Sequence, residues 1–191
     1  MTALALLARG EADDFEKPLF DKQAVNTVRY ADHAAWVVAT ATARAFAAAR
    51  DAVTAADDRV GVIATSARGP VETMGWVGNA AREGYSSPLR YPATNPGSLA
   101  GVTCILLGLR GPTLVLTMPT ASGAPLATAL GGSWIARGDV PLVVTAASWE
   151  RAPGKHAARC VLLGAASAGP AYDAMVDGAW LAATEAGSKL G

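Results

Sequence analysis

Charge of one sign in excess is the first thing missing, since 16 Lys and Arg balance 16 Asp and Glu for a formal net charge of zero. Without a basic run to follow a phosphate backbone or an anionic headgroup layer, neither nucleic-acid binding nor membrane-surface binding is expected. Cysteine is scarce too. Cys104 and Cys160 both sit in apolar runs (ValThrCysIleLeuLeu and ArgCysValLeuLeu), where a thiol behaves as a small hydrophobe. That usage predicts a reduced, cytoplasmic setting and no disulfide framework. The chain has only two histidines and neither a CxxC nor an HExxH pattern, so no metal site is expected. GxGxxG and GxxxxGK[ST] are absent, which removes the usual phosphate cradles and any expectation of a cofactor. GxSxG, the nucleophile elbow, is absent as well. Apolar stretches stop well short of the roughly 20 residues that a spanning helix requires. Residues 3–8 are apolar, but no basic segment precedes them and Glu11, Asp13, Asp14 and Glu16 follow. No export signal is expected there.

What the chain does have is apolar mass: 191 residues, 51% hydrophobic and 17% charged, with a mean hydropathy of +0.25. A single domain over residues 1–191 can bury an adequate core at that size. Its polar surface is thinner than a soluble monomer usually carries, which predicts a buried partner interface.

Hydrophobic periodicity lays out the elements. Residues 3–8 read as a short buried strand, followed by an acidic connection to about Asp21. Val28, Ala31, Ala35, Val38, Ala45, Ala49 and Val53 recur at helical steps, predicting one amphipathic helix over 26–56. Val60–Ala64 is β-branched and apolar on both faces, as a central parallel strand is. A helix is expected over 71–82, then a loop carrying Pro88, Pro92 and Pro96. Residues 98–109 form a further apolar segment. Thr113–Thr117 reads as a strand, 122–137 as a helix with Pro125 in its first turn, and 140–146 as a strand. Residues 156–165 supply one more apolar run and 171–186 a last helix. The sum is an α/β three-layer sandwich with about five strands and helices on both faces. His33 lies about 200° from Ala31 at 100° per residue and reads as a solvated surface residue. His156 reads as a turn residue ahead of a strand.

One segment invites chemistry. The strand at 113–117 runs into a helix N-terminus, where aligned dipoles favour a thiolate or oxyanion at residues 119–122. Around it, AsnProGlySerLeuAlaGly (95–101), CysIleLeuLeuGlyLeuArgGlyPro (104–112), the ArgGlyAsp that closes the next helix and the strand ending in SerTrpGlu follow in order. This series resembles the N-terminal half of β-ketoacyl-acyl carrier protein synthases, thiolase-fold condensing enzymes, with the best match over 26–165. The resemblance implies a thiolase-like half-sandwich built on a mixed sheet of about five strands, with the family's inserted cap trimmed between Glu150 and His156. It also puts the position of the family's nucleophilic cysteine on Thr120, preceded by Met118 and Pro119. A thiol is partly ionised near neutral pH, whereas a threonine hydroxyl needs a dedicated base. The family's catalytic histidines belong to a C-terminal half, and neither His33 nor His156 matches their motifs.

By resemblance the chain is akin to the chain-length factor, a ketosynthase-like subunit without the active cysteine that pairs with an active ketosynthase. Thr113, Val115 and Thr117 then lie on the strand that pairs across the dimer axis. Arg68, Met74 and Arg90 fall in segments that approach a neighbour's acyl tunnel, although Arg68 and Arg90 read equally well as solvated loop residues. The expected partners are ketosynthase or chain-length-factor subunits and, less directly, acyl carrier protein. Two alternatives stand beside this: a split enzyme using Thr120 or Ser122 as nucleophile with a second polypeptide, and a stand-alone module that binds carrier protein or a small hydrophobic ligand. Few cations, among them Lys17, Lys22, Lys155 and Lys189, are available to grip an acidic carrier.

Overall fold

The computed structural model describes residues 3–182. Five strands, β1 (Leu4–Ala12), β2 (Val60–Ser66), β3 (Thr113–Leu116), β4 (Leu142–Ala152) and β5 (Lys155–Ala165), form one sheet in the order β1-β5-β4-β2-β3. β2 lies parallel to both β3 and β4, while β5 runs antiparallel to β4 and β1. All seven residues of β2 are buried, because helices cover both of its faces. That double burial is why the segment reads as a continuous apolar run instead of an alternating one.

On one face, helix α2 (His33–Ala48) packs Val37, Val38, Ala41 and Ala45 on Val144, Ala146, Ala158 and Cys160. Beside it, α5 (Ser98–Leu107) lays Leu99 and Ala100 on Val62 and Ala64. On the other face, α6 (Thr120–Arg137) packs Ala127 on Ile63 and Val143. The odd and even residues of β2 thus serve opposite layers, as a two-residue period requires. Layer contact is close because small residues line it. A Cβ on Gly10 would stand 2.0 Å from the carbonyl oxygen of Ala41, and one on Gly123 would stand 2.2 Å from Thr65 Cγ2.

The helix expected over 26–56 is three: α1 (Lys22–Thr27), α2, and α3 (Arg50–Ala56). Asp32 makes the first break. Its Oδ1 accepts the Ala34 amide at 3.0 Å, and a carboxylate that caps the backbone competes with helix continuation. Periodicity carries across the break because Val28 still packs with Trp36 and Ala39. Residues 98–109, left unassigned by pattern, contain α5, and α4 (Val71–Arg82) falls as expected. α6 begins two residues earlier than predicted, which moves Pro125 into its second turn; Ala121, whose carbonyl loses a donor there, is exposed. The last helix, α7, spans Val176–Ala182. Its predicted start at 171 fails because Tyr172 donates its amide to Leu4 O at 2.8 Å and Leu6 to Pro170 O at 2.8 Å, holding that stretch extended along β1. Residues 183–186 of the expected helix lie outside the described residues.

Candidate functional site

Parallel β2, β3 and β4 deliver their carboxyl ends to one edge of the sheet, the place where open α/β sheets bind ligands. From there Thr117, Met118 and Pro119 carry the chain into α6, whose first residue is Thr120. The Ser122 and Gly123 amides donate to Pro119 O at 3.1 and 2.9 Å, so the first turn is closed and its dipole points at residue 120. Thr120 is 0% exposed. Its Oγ1 donates to the Ala182 carbonyl at 3.4 Å, which places the end of α7 over the position where the resemblance puts a nucleophile. Ser122 is exposed.

α7 is held by several contacts. Arg9 forms an ion pair with Asp177, Leu181 is fully buried against Ala124, Ala147, Val161 and Leu163, and Arg159 donates to Trp180 O at 3.1 Å. Arg9 and Arg159 also stand over the Trp180 ring, at 5.3 and 5.1 Å. Beside it a cavity of about 670 Å³ runs along α6, lined by Leu4, Pro125, Thr128, Gly132 and Tyr172. No base is supplied to Thr120 by the chain's histidines. His33 belongs to α2, and His156, in register with Ala158 and Cys160, faces α2 across the sheet from α6. The cysteines offer no substitute nucleophile, since burial pushes the Cys104 thiol up to about 11 and Cys160 to about 12.

Among the described residues β3 pairs with β2 alone, and its other edge is open. Along it Thr113 and Thr117 are exposed and Val115 is half-buried; Met118 is half-buried and Pro119 exposed. Arg68 is not a free loop cation, being ion-paired with Glu150, whose Oε1 also accepts the Gly154 amide at 3.2 Å. Arg90 lies over the Trp76 ring at 4.2 Å and over Tyr30 at 5.2 Å, where an arginine gains cation–π attraction. Met74, Trp76, Tyr85, Leu89 and Tyr91 are all exposed. This is an apolar, aromatic surface of the kind that marks an interface.

Sequence reasoning missed one constellation. Ligand-type atoms of Asp32, Glu72 and His156 all lie within 4.8 Å of one another. His156 is a residue of β5, not of a turn, and is buried with its Nε2 3.0 Å from Glu72 Oε1. Asp32 Oδ2 accepts the Thr73 amide at 2.9 Å. His33 is half-buried instead of solvated, its ring edge-on to that of His156 at 5.7 Å between centroids. The amphipathic stripe misplaced it because it counted His33 inside a continuous helix, whereas His33 opens one.

A three-layer half-sandwich with a mixed five-stranded sheet, and a strand feeding a helix at residue 120, defines a thiolase-like domain. The chain belongs to the β-ketoacyl synthase N-terminal domain family, whose profile matches residues 4–182. Solved structures agree on the fold. The ishigamide ketosynthase/chain length factor superposes with a TM-score of 0.68 at 14% identity, over 87% of this chain and 63% of that one. A β-ketoacyl synthase from Burkholderia phymatum STM815 gives 0.67 at 15% identity, over 94% and 62%. A ketosynthase in complex with its chain length factor from Xenorhabdus doucetiae gives 0.60 at 13% identity, over 86% and 80%. The chain thus spans less than two thirds of the first two. None of the curated proteins matches it by sequence.

Proposed function

We propose that this chain is a catalytically silent ketosynthase-like subunit that associates with an active ketosynthase, with or without a chain-length factor, in type II polyketide or fatty-acid-like assembly. The observation that carries the reading is residue 120. The family's nucleophile position holds a hydroxyl that is fully buried beneath α7 and donates to the Ala182 carbonyl, while both histidines face the opposite layer. Condensation requires a nucleophile plus donors aimed at developing negative charge, and an occluded threonine supplies neither. The open edge of β3, with Thr113, Val115 and Thr117, is the proposed pairing surface. Met74 and Arg90, on the aromatic surface on and after α4, and Arg68 are the proposed contacts to a neighbour's tunnel. Solved relatives include complexes of a ketosynthase with its chain length factor, and of a type II ketosynthase with its acyl-carrier protein.

Co-expression with a type II ketosynthase, followed by purification through a tag on the partner, tests this reading. Retention of the chain at a fixed ratio is expected. A monodisperse monomer that never co-purifies with any ketosynthase or chain-length factor overturns it. Incubation with acyl carrier protein thioesters and intact-mass analysis addresses the split-enzyme alternative, for which an acyl adduct on Thr120 or Ser122 is required.

A further inference from the structure

The carboxyl edge of the sheet carries a second group of polar side chains, separate from residue 120. Asp32 closes the N-terminus of α2, Glu72 stands in the first turn of α4, and His156 projects from β5. Their donor atoms lie within 4.8 Å of one another. Asp32 and His156 are 1% and 2% exposed, whereas Glu72 is half-buried. Among the described residues no lysine or arginine is ion-paired with either carboxylate, and the one ionisable partner of Glu72 is His156. Two carboxylates and an imidazole thus converge in a largely desolvated place, a donor set of the kind that divalent first-row ions take.

Positioning is already provided. Asp32 holds its carboxylate by accepting the Ala34 and Thr73 amides at 3.0 and 2.9 Å, leaving one lone pair on each oxygen free. Bonds of about 2.1 Å to a first-row ion put donor atoms roughly 3.0–3.4 Å apart. The His156 Nε2 to Glu72 Oε1 separation is 3.0 Å. The separations that involve Asp32 lie within 4.8 Å, and any that exceed that range contract when an ion binds. A second observation points the same way. Ser148 is 1% exposed and its Oγ has no partner among the described residues. In the β4–β5 register Ser148 opposes Ala158 and Glu150 opposes His156, so Ser148 lies on the face of His156, one diagonal step away. A buried hydroxyl without a protein partner calls for a water or an ion-bound water.

We propose that Asp32, Glu72 and His156 form a binding site for a single divalent first-row metal ion, with Zn²⁺ as the representative, completed by water. Two oxygen ligands and one imidazole suit that class, and one water-filled position remains. The ion ties the start of α2, the start of α4 and the β4–β5 hairpin to each other, three segments far apart in the chain. This inference is independent of the proposed association and of residue 120.

The test uses the tag-free, chelator-treated chain, titrated with Zn²⁺ by calorimetry and with Co²⁺ by visible absorption. One ion per chain is expected, with Co²⁺ bands of a low-symmetry oxygen and nitrogen site and a raised melting temperature on Zn²⁺ addition. Glu72→Gln, at a half-exposed position, keeps the fold by circular dichroism and weakens Zn²⁺ binding at least about tenfold. His156→Gln removes the nitrogen ligand and its share of the Co²⁺ spectrum. Absence of binding to the folded wild-type chain, or binding that Glu72→Gln leaves unchanged, overturns the proposal. In the first case the group is a proton-mediated His–carboxylate staple only.

Discussion

Thr120 and the two cysteines set the chemistry at the residue scale. Because Thr120 is fully buried under α7, Thr120→Cys puts a thiol at the position where the resemblance expects the family's nucleophile without giving substrate access to it. No acyl adduct is expected by intact mass after exposure to an acyl thioester, and recovery of stoichiometric acylation would refute the occlusion. Cys104 and Cys160 have thiols raised to about 11 and about 12 by burial. Both are expected to resist Ellman's reagent at pH 8 until denaturant is added. The linkage has a definite sign. A thiol whose folded value exceeds its unfolded value favours the native state below the unfolded value, and that contribution declines as pH rises toward the folded one. Stability is therefore expected to fall between about pH 9, the ordinary value of a thiol, and about 12, as Cys160 titrates. Urea midpoints at pH 8 and 10.5 check this, with Cys160→Ala expected to flatten the decline.

At the level of elements, tight layer contacts decide tolerance. Gly10 lies where a Cβ would meet the Ala41 carbonyl at 2.0 Å, and backbone cannot rotate aside as a side chain can. Gly10→Ala is expected to cost about 1–3 kcal/mol by forcing β1 and α2 apart, measured by chemical denaturation. A change indistinguishable from zero would mean that the two elements are less closely packed than described. Sequence pattern located most of these elements because their causes are local. Val60–Ala64 is apolar on both faces, and Gly138 follows α6 with a left-handed φ of 75° that ends it. What pattern missed has causes distant in the chain. The break at Asp32 is fixed in part by Thr73, 41 positions away. The extended stretch before α7 is fixed by pairing to Leu4 and Leu6.

The candidate site divides along the same line in the whole molecule. Residue 120 was legible because a strand, a proline and a helix start are consecutive in sequence. The Asp32, Glu72 and His156 group was not, since Glu72 and His156 are 84 positions apart and meet only when β5 lies beside β4. Sequence left Arg68 and Arg90 open between solvated loop residues and contacts to a neighbour; in the fold Arg68 is exposed and paired with Glu150, and Arg90 lies over the Trp76 and Tyr30 rings. The apolar surplus of the sequence matches an exposed aromatic surface on and after α4 and an open strand edge at β3. No helix among the described residues is long and apolar enough to cross a membrane. Thr113→Lys, with the residue exposed on β3, is expected to abolish co-purification with a ketosynthase while leaving the circular dichroism of the chain intact, because a charge on an edge strand opposes pairing. Undiminished co-purification would place the contact elsewhere.

Among the described residues, the vacant row of hydrogen-bonding groups beside β3 can be extended on that side by one neighbour at a time. Self-pairing and hetero-pairing through it are mutually exclusive, so the relative abundance of the competing chains, more than any one affinity, determines which assembly accumulates. Overproducing this chain on its own would then titrate it into homodimers, and supplying the other polypeptide in excess would draw it back out.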